Sequence, residues 1–193
     1  AAASDRVVLG AELLPGADTL EAEAALRALR KEKKVSAILH ESYPVRYWDH
    51  DLGPAEPHLL ALDLGGLQDA VPVREVDAAA AAGAVDDEKA PAPYAPELPR
   101  PRDLTPHPGR SADTAGAALT PDGRTLIASM RVSEQRDGRY VLVAIDTESG
   151  ARTTLFDEAI ADFEMPVISH DGARIAYVRT VISSPEAPTD LEV

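Results

Sequence analysis

Leu119-Thr120-Pro121-Asp122-Gly123-Arg124-Thr125-Leu126-Ile127-Ala128 is answered, 49 positions later, by Ile168-Ser169-His170-Asp171-Gly172-Ala173-Arg174-Ile175-Ala176-Tyr177. In both stretches an apolar and a hydroxyl residue precede an Asp-Gly pair, and a β-type apolar run follows. Asp-Gly favours a tight hairpin, because Gly accepts positive φ and Asp hydrogen-bonds its own backbone. Between the copies, Thr125–Val132, Arg139–Ile145 and Ala151–Phe156 read as strands, with the turn Asp146 to Gly150 before the last. Tyr140 to Ile145 is apolar on both faces, the pattern of a strand buried between two neighbouring sheets. A repeat of roughly 40–50 residues with four short strands per unit is the signature of a β-propeller blade.

The rest of the chain is mixed. Arg6–Leu14, Val35–Tyr43, His58–Leu64 and Val71–Val76 read as further strands. One helix is expected within 18–34, with Asp18 as N-cap and Glu21 as its capping-box partner. Glu21 and Glu23 lie near its positive end and Arg30, Lys31, Lys33 and Lys34 near its negative end. Ala22, Ala25, Leu26 and Leu29 form one narrow apolar stripe, so the helix belongs on a surface. Residues 77–113 are biased. An alanine run at Ala78 to Ala82 and the acidic Asp86-Asp87-Glu88 precede seven prolines between Pro91 and Pro108. Proline fixes φ and removes amide donors, so this stretch reads as an extended loop or linker between strand-forming zones 1–76 and 114–193.

Composition excludes several classes. The 193 residues include no cysteine, so there is no disulfide framework, thiolate metal site or cysteine nucleophile. The formal net charge of −14 disfavours nucleic acid and anionic lipid, since such a chain repels phosphate. No run of about 18 apolar residues crosses a bilayer and no signal peptide is visible, which leans the assignment towards the cytoplasm, with secretion open. At about 49 residues per unit the chain holds about three blades, whereas propellers have roughly 4–8 and close to hide their edges. The chain lacks a starting Met and ends at Asp190-Leu191-Glu192-Val193, which reads as the start of another strand. The expectation is an all-β, partial propeller with one inserted helix. It should not fold alone and should be completed by further blades.

His40-Glu41-Ser42-Tyr43-Pro44-Val45-Arg46-Tyr47-Trp48-Asp49-His50-Asp51-Leu52-Gly53, followed by Pro57 to Leu64, resembles the N-terminal propeller of prolyl oligopeptidase family serine peptidases. The likeness is to the bacterial acylaminoacyl-peptidase and dipeptidyl-aminopeptidase-like branch. Arg102-Asp103-Leu104-Thr105-Pro106 and the two Asp-Gly repeats fit that branch in the same order. The resemblance implies a seven-bladed propeller over an α/β-hydrolase domain with a Ser-His-Asp site outside this chain. The propeller would gate short peptides towards it. The implied partners are the remaining blades, the hydrolase chain and short peptide substrates, with a homo-oligomer left open. The rival function is a non-catalytic propeller that binds a protein partner.

Site candidates are few. Gly109-Arg110-Ser111-Ala112-Asp113 lacks the second glycine of a nucleophile elbow, which argues against Ser111 as nucleophile with His107 or His170 as base. His40, Asp49, His50, Asp51 and His58 lie close in sequence, but a strand would turn His50 away from Asp49 and Asp51, so no metal is expected. No catalytic residue or cofactor is assigned. Arg46 and Glu41 are candidates for substrate access, against a reading of Arg46 as a structural ion pair. In that reading Asp49 and Asp51 satisfy turn amides while Tyr47 and Trp48 pack between blades. Phe163, Glu164 and Met165 line either an interdomain face or the core.

Overall fold

The structure, a computed structural model, describes residues 2–3, 5–17, 19–40, 44–65, 100–113, 116–132 and 138–182. It is mostly β, with three antiparallel sheets and one helix, and among the described residues no sheet closes on itself. The first sheet has the order β1 (Ala2–Ala3), β2 (Arg6–Leu13), β3 (Glu56–Asp63) and β4 (Arg102–Asp103). The second is a meander of β5 (Ala117–Leu119), β6 (Thr125–Val132), β7 (Arg139–Asp146) and β8 (Arg152–Phe156). The third is the hairpin β9 (Ala161–Ile168) and β10 (Ile175–Val181).

The Asp-Gly turns form as the repeat predicts, and their hydrogen bonds correspond one for one. Thr120 Oγ1 donates to Asp122 Oδ1 at 2.6 Å, and Ser169 Oγ donates to Asp171 Oδ1 at 2.6 Å. The amides of Arg124 and Ala173 each reach the turn aspartate at 3.0 Å. Those of Thr125 and Arg174 each reach the turn hydroxyl at 3.0 Å. Gly123 and Gly172 both take φ +72°, a conformation open mainly to glycine. The two turns touch: a Cβ added at Gly172 would lie 3.3 Å from Pro121 Cδ.

The second sheet is the middle layer. One of its faces, with Leu126, Ala128, Met130, Val141, Val143 and Ile145, packs on Val8, Leu59, Ala61 and Leu104 of the first sheet's side. From its other face Ile127 and Leu142 meet Ala161 and Phe163 of the third sheet. Phe156, Phe163 and Tyr177 pack ring to ring across that junction, with centroids 4.8–5.6 Å apart. Ser129 Oγ donates to Phe163 O at 2.8 Å, and the Tyr140 amide donates to Asp162 Oδ1 at 2.7 Å. Period-2 alternation thus sends successive β6 and β7 residues into two different cores.

Helix α1 (Leu20–Glu32) lies on the first sheet's other face, where Ala22 and Leu26 cover Leu13, Ala17 and Leu60. Leu29 and Ala25 remain exposed, so it is a surface helix. Its N-cap is Thr19, whose Oγ1 accepts from the Ala22 amide at 3.1 Å; Asp18 lies outside the described residues. Glu23 is buried and binds back to the Leu14 amide at 2.6 Å, fixing the approach to the helix.

The strand expected at Val35–Tyr43 does not form over 35–40. These exposed residues find no sheet partner, and their apolar periodicity alone does not bury them. Residues 41–43, Val71–Val76, the 66–99 stretch and 183–193 lie outside the described residues. Residues 100–113 contribute β4 and place Leu104 and Ala112 in the core. No helix among the described residues is long and apolar enough to cross a membrane.

Candidate functional site

The segment 44–55 that carries the Arg-Tyr-Trp-Asp-His motif projects from the first sheet as a tight loop. Backbone bonds from the Tyr47 amide to His50 O (2.9 Å) and from the Leu52 amide to Val45 O (3.2 Å) close it. Pro44, Leu52 and Ala55 anchor its base by burial. Tyr47 is its polar anchor and donates to Asp113 Oδ2 at 2.7 Å. Asp113 is held by Arg110 through two bonds of 2.7 and 2.8 Å, and Arg110 also donates to Ala55 O at 2.9 Å. Arg110 and Asp113 are both buried, so the fork satisfies a charge that burial would otherwise penalise. Burial first, then the bond to Asp113, pushes the Tyr47 phenol up to about 12.

The tip is different in kind. Trp48 is 99% exposed, which overturns the expectation that it packs between layers. The tight loop turns Tyr47 inward onto Asp113, and its successor is left outside. Asp49 and Asp51 bind side chains: Asp49 holds His50 Nδ1 at 2.7 Å, and Asp51 lies 3.4 Å from Arg46 Nε. The hydrogen bond from His50 holds the Asp49 carboxyl below the usual carboxylate range. Arg46, the substrate-access candidate, is thus exposed and paired; Glu41 lies outside the described residues. His58 is in β3 and buried, apart from this loop, and no group of three His, Asp or Glu among the described residues could hold a metal ion.

The remaining candidates are dispersed. Ser111 Oγ donates to Pro108 O at 2.7 Å. His107 stands at φ +53°, and His170 is exposed in the second Asp-Gly turn. Phe163 is fully buried in the core, whereas Met165, two residues on, is 70% exposed.

Two features were not visible as sites in the sequence. The first is a polar groove of about 560 Å³ where strand ends of the first and second sheets meet. Arg6 spans it, reaching Asp63 at 2.5 Å and Thr147 Oγ1 at 2.6 Å, while Arg102 donates to Thr147 O at 2.9 Å. The second joins buried His58 to half-buried Asp103, with His58 Nδ1 2.9 Å from Asp103 Oδ2. Asp103 also accepts from the Thr105 amide at 2.8 Å. Burial pushes the Asp103 carboxyl up, but the bonds from His58 and Thr105 outweigh it and hold the group below its ordinary range. The Asp103-x-Thr105 turn has a local signature; its pairing with a histidine 45 positions away has none.

No family model, curated protein or solved structure matches this chain.

Proposed function

We propose that this chain is the propeller portion of a serine exopeptidase of the prolyl oligopeptidase type, gating short peptides towards a Ser-His-Asp site outside the chain. The observation that carries the reading is the recurrence, 49 residues apart, of one turn with one set of hydrogen bonds, each copy joining the first two strands of a sheet packed face to face on the one before. Successive blades of a ring have this relation: equivalent turns sit side by side, as Gly172 and Pro121 do. The apolar residues left open on the third sheet suit a further blade, because apolar strand surface is stabilised by being covered. The His40 to Gly53 stretch, with Pro57 to Leu64 after it, carries the family resemblance, and its exposed Trp48 suits contact with a neighbouring domain.

Trp48 equally favours a second reading, a non-catalytic propeller that binds a protein partner through that tip. A fluorophosphonate probe applied to the intact protein that carries this chain separates the two. The peptidase reading expects one covalently labelled serine hydrolase domain joined to or copurifying with the chain, together with release of amino-terminal residues from short peptides. An intact preparation without any labelled species supports the binding module and overturns the peptidase.

A further inference from the structure

A cavity of about 240 Å³ lies between helix α1 and the loop 44–55, lined by Leu14, Pro15, Leu26, Arg30, Leu39 and Pro54. Leu26 and Arg30 stand one helical turn apart in α1 and present neighbouring side chains on one face. Arg30 is the one charged residue on the wall, and the rest are apolar. Its Nη2 donates to Ala37 O at 3.0 Å, which ties the 35–40 stretch to the helix. Among the described residues no carboxylate pairs with its guanidinium. The neighbouring cations differ: Arg27 is paired with Glu23, and Lys33 lies 2.8 Å from Glu32. Basic residues at a helix end ordinarily answer the helix dipole, which accounts for Lys31. Arg30 is set apart because it stands half-buried against apolar side chains.

We propose that this cavity binds a short aliphatic carboxylate. The carboxylate would accept from the Arg30 N–H groups that Ala37 leaves unused, since a planar guanidinium fork matches that group. The alkyl stem would lie against Leu14, Leu26, Leu39 and the two prolines, at roughly 25 cal/mol per Å² of apolar area removed from water. A cation partly withdrawn from water attracts an anion more strongly than an exposed one does, because the dielectric around it is lower. A cationic guest would meet Arg30 with like charge, and a neutral alkyl guest would leave it uncompensated. A peptide end also carries an amide, and the lining side chains offer no acceptor for its N–H. The volume is below the roughly 300–1,000 Å³ of drug-sized sites, which keeps the guest small. The proposal is independent of the peptidase reading, since it uses only α1 and the segments packed beside it.

The test is a titration of the folded full chain with sodium isovalerate, followed by calorimetry and by the methyl resonances of Leu14, Leu26 and Leu39. The expected result is saturable one-to-one binding that shifts those methyls together. Arg30→Gln should weaken binding about tenfold, or about 1.4 kcal/mol, and Arg30→Lys, which keeps the charge, should lose less. Leu39 is 78% exposed, so Leu39→Ser spares the core and should weaken binding about threefold through the lost contact with the stem. Isoamylammonium, with the stem and the opposite charge, and acetate, with the charge and almost no stem, should bind far more weakly. No saturable shift, an equal response to either of those two ions, or affinity unchanged in Arg30→Gln or in Leu39→Ser would overturn the proposal. Tighter binding of acetyl-glycyl-leucine than of isovalerate would overturn it as well, because the occupant would then be a peptide end.

Discussion

Strands β6 and β10 begin from the same turn and end in opposite environments. Each follows an Asp-Gly hairpin with matching hydrogen bonds and the same +72° glycine. Yet β6 is buried from Leu126 to Met130, whereas β10 is exposed along its length except at half-buried Tyr177. Local chemistry therefore sets where a strand starts, and burial depends on what lies on each side of its sheet. Among the described residues the second sheet has a neighbour on both faces and the third has one. The apolar side chains of Val167, Val178 and Met165 stand where β6 and β7 find a second core.

Substitutions at the two sheets should separate sharply. Leu142→Ala removes a fully buried side chain from the second core and is expected to cost about 2–5 kcal/mol by denaturant unfolding of the folded protein. A cost below that range would mean that the middle layer is not close-packed. Gly123→Ala forces a left-handed residue and should cost about 1–2 kcal/mol. Gly172→Ala should cost more, since its new Cβ also presses on Pro121 at 3.3 Å. Equal losses would show that the two turns do not touch.

Tyr47 tests the loop on the first sheet. Its phenol is raised to about 12, so the stability tied to the neutral phenol is complete below pH about 10 and is lost as pH rises towards 12. Ultraviolet titration should show Tyr47 ionising late, and Asp113→Asn should bring it down part of the way, leaving the effect of burial. A late tyrosine unaffected by Asp113→Asn would break the assignment. At the bottom of the scale, Val178→Ala should change stability by no more than about 0.5 kcal/mol where Val178 stays exposed, as it is among the described residues. A larger loss, in a protein where the proposed further blade is present, would show that another sheet covers that face.

The boundaries of β6 could be read to the residue, because Asp122-Gly123 starts it and a two-faced apolar run continues it. The two-sided burial of β7 was legible in Tyr140 to Ile145 for the same reason. Val35–Tyr43 shows the limit: an apolar pattern states what a strand could bury and leaves open whether a partner is present. Trp48 fails likewise, since its neighbour Tyr47 takes the one anchor that Asp113 provides. The His58–Asp103 and Arg110–Asp113 pairs depend on side-chain direction within the fold. Only the short spacing of the second pair hints at contact.

Hydrogen exchange of β10, compared between this chain by itself and a chain extended by the proposed further blades, tests the central claim most directly. The account predicts fast exchange of the β10 amides in the single chain and strong protection in the extended one, where the proposed sheet would cover Val178 and its neighbours. Equal exchange of β10 in both would contradict it, because the third sheet would then be the natural end of the stack.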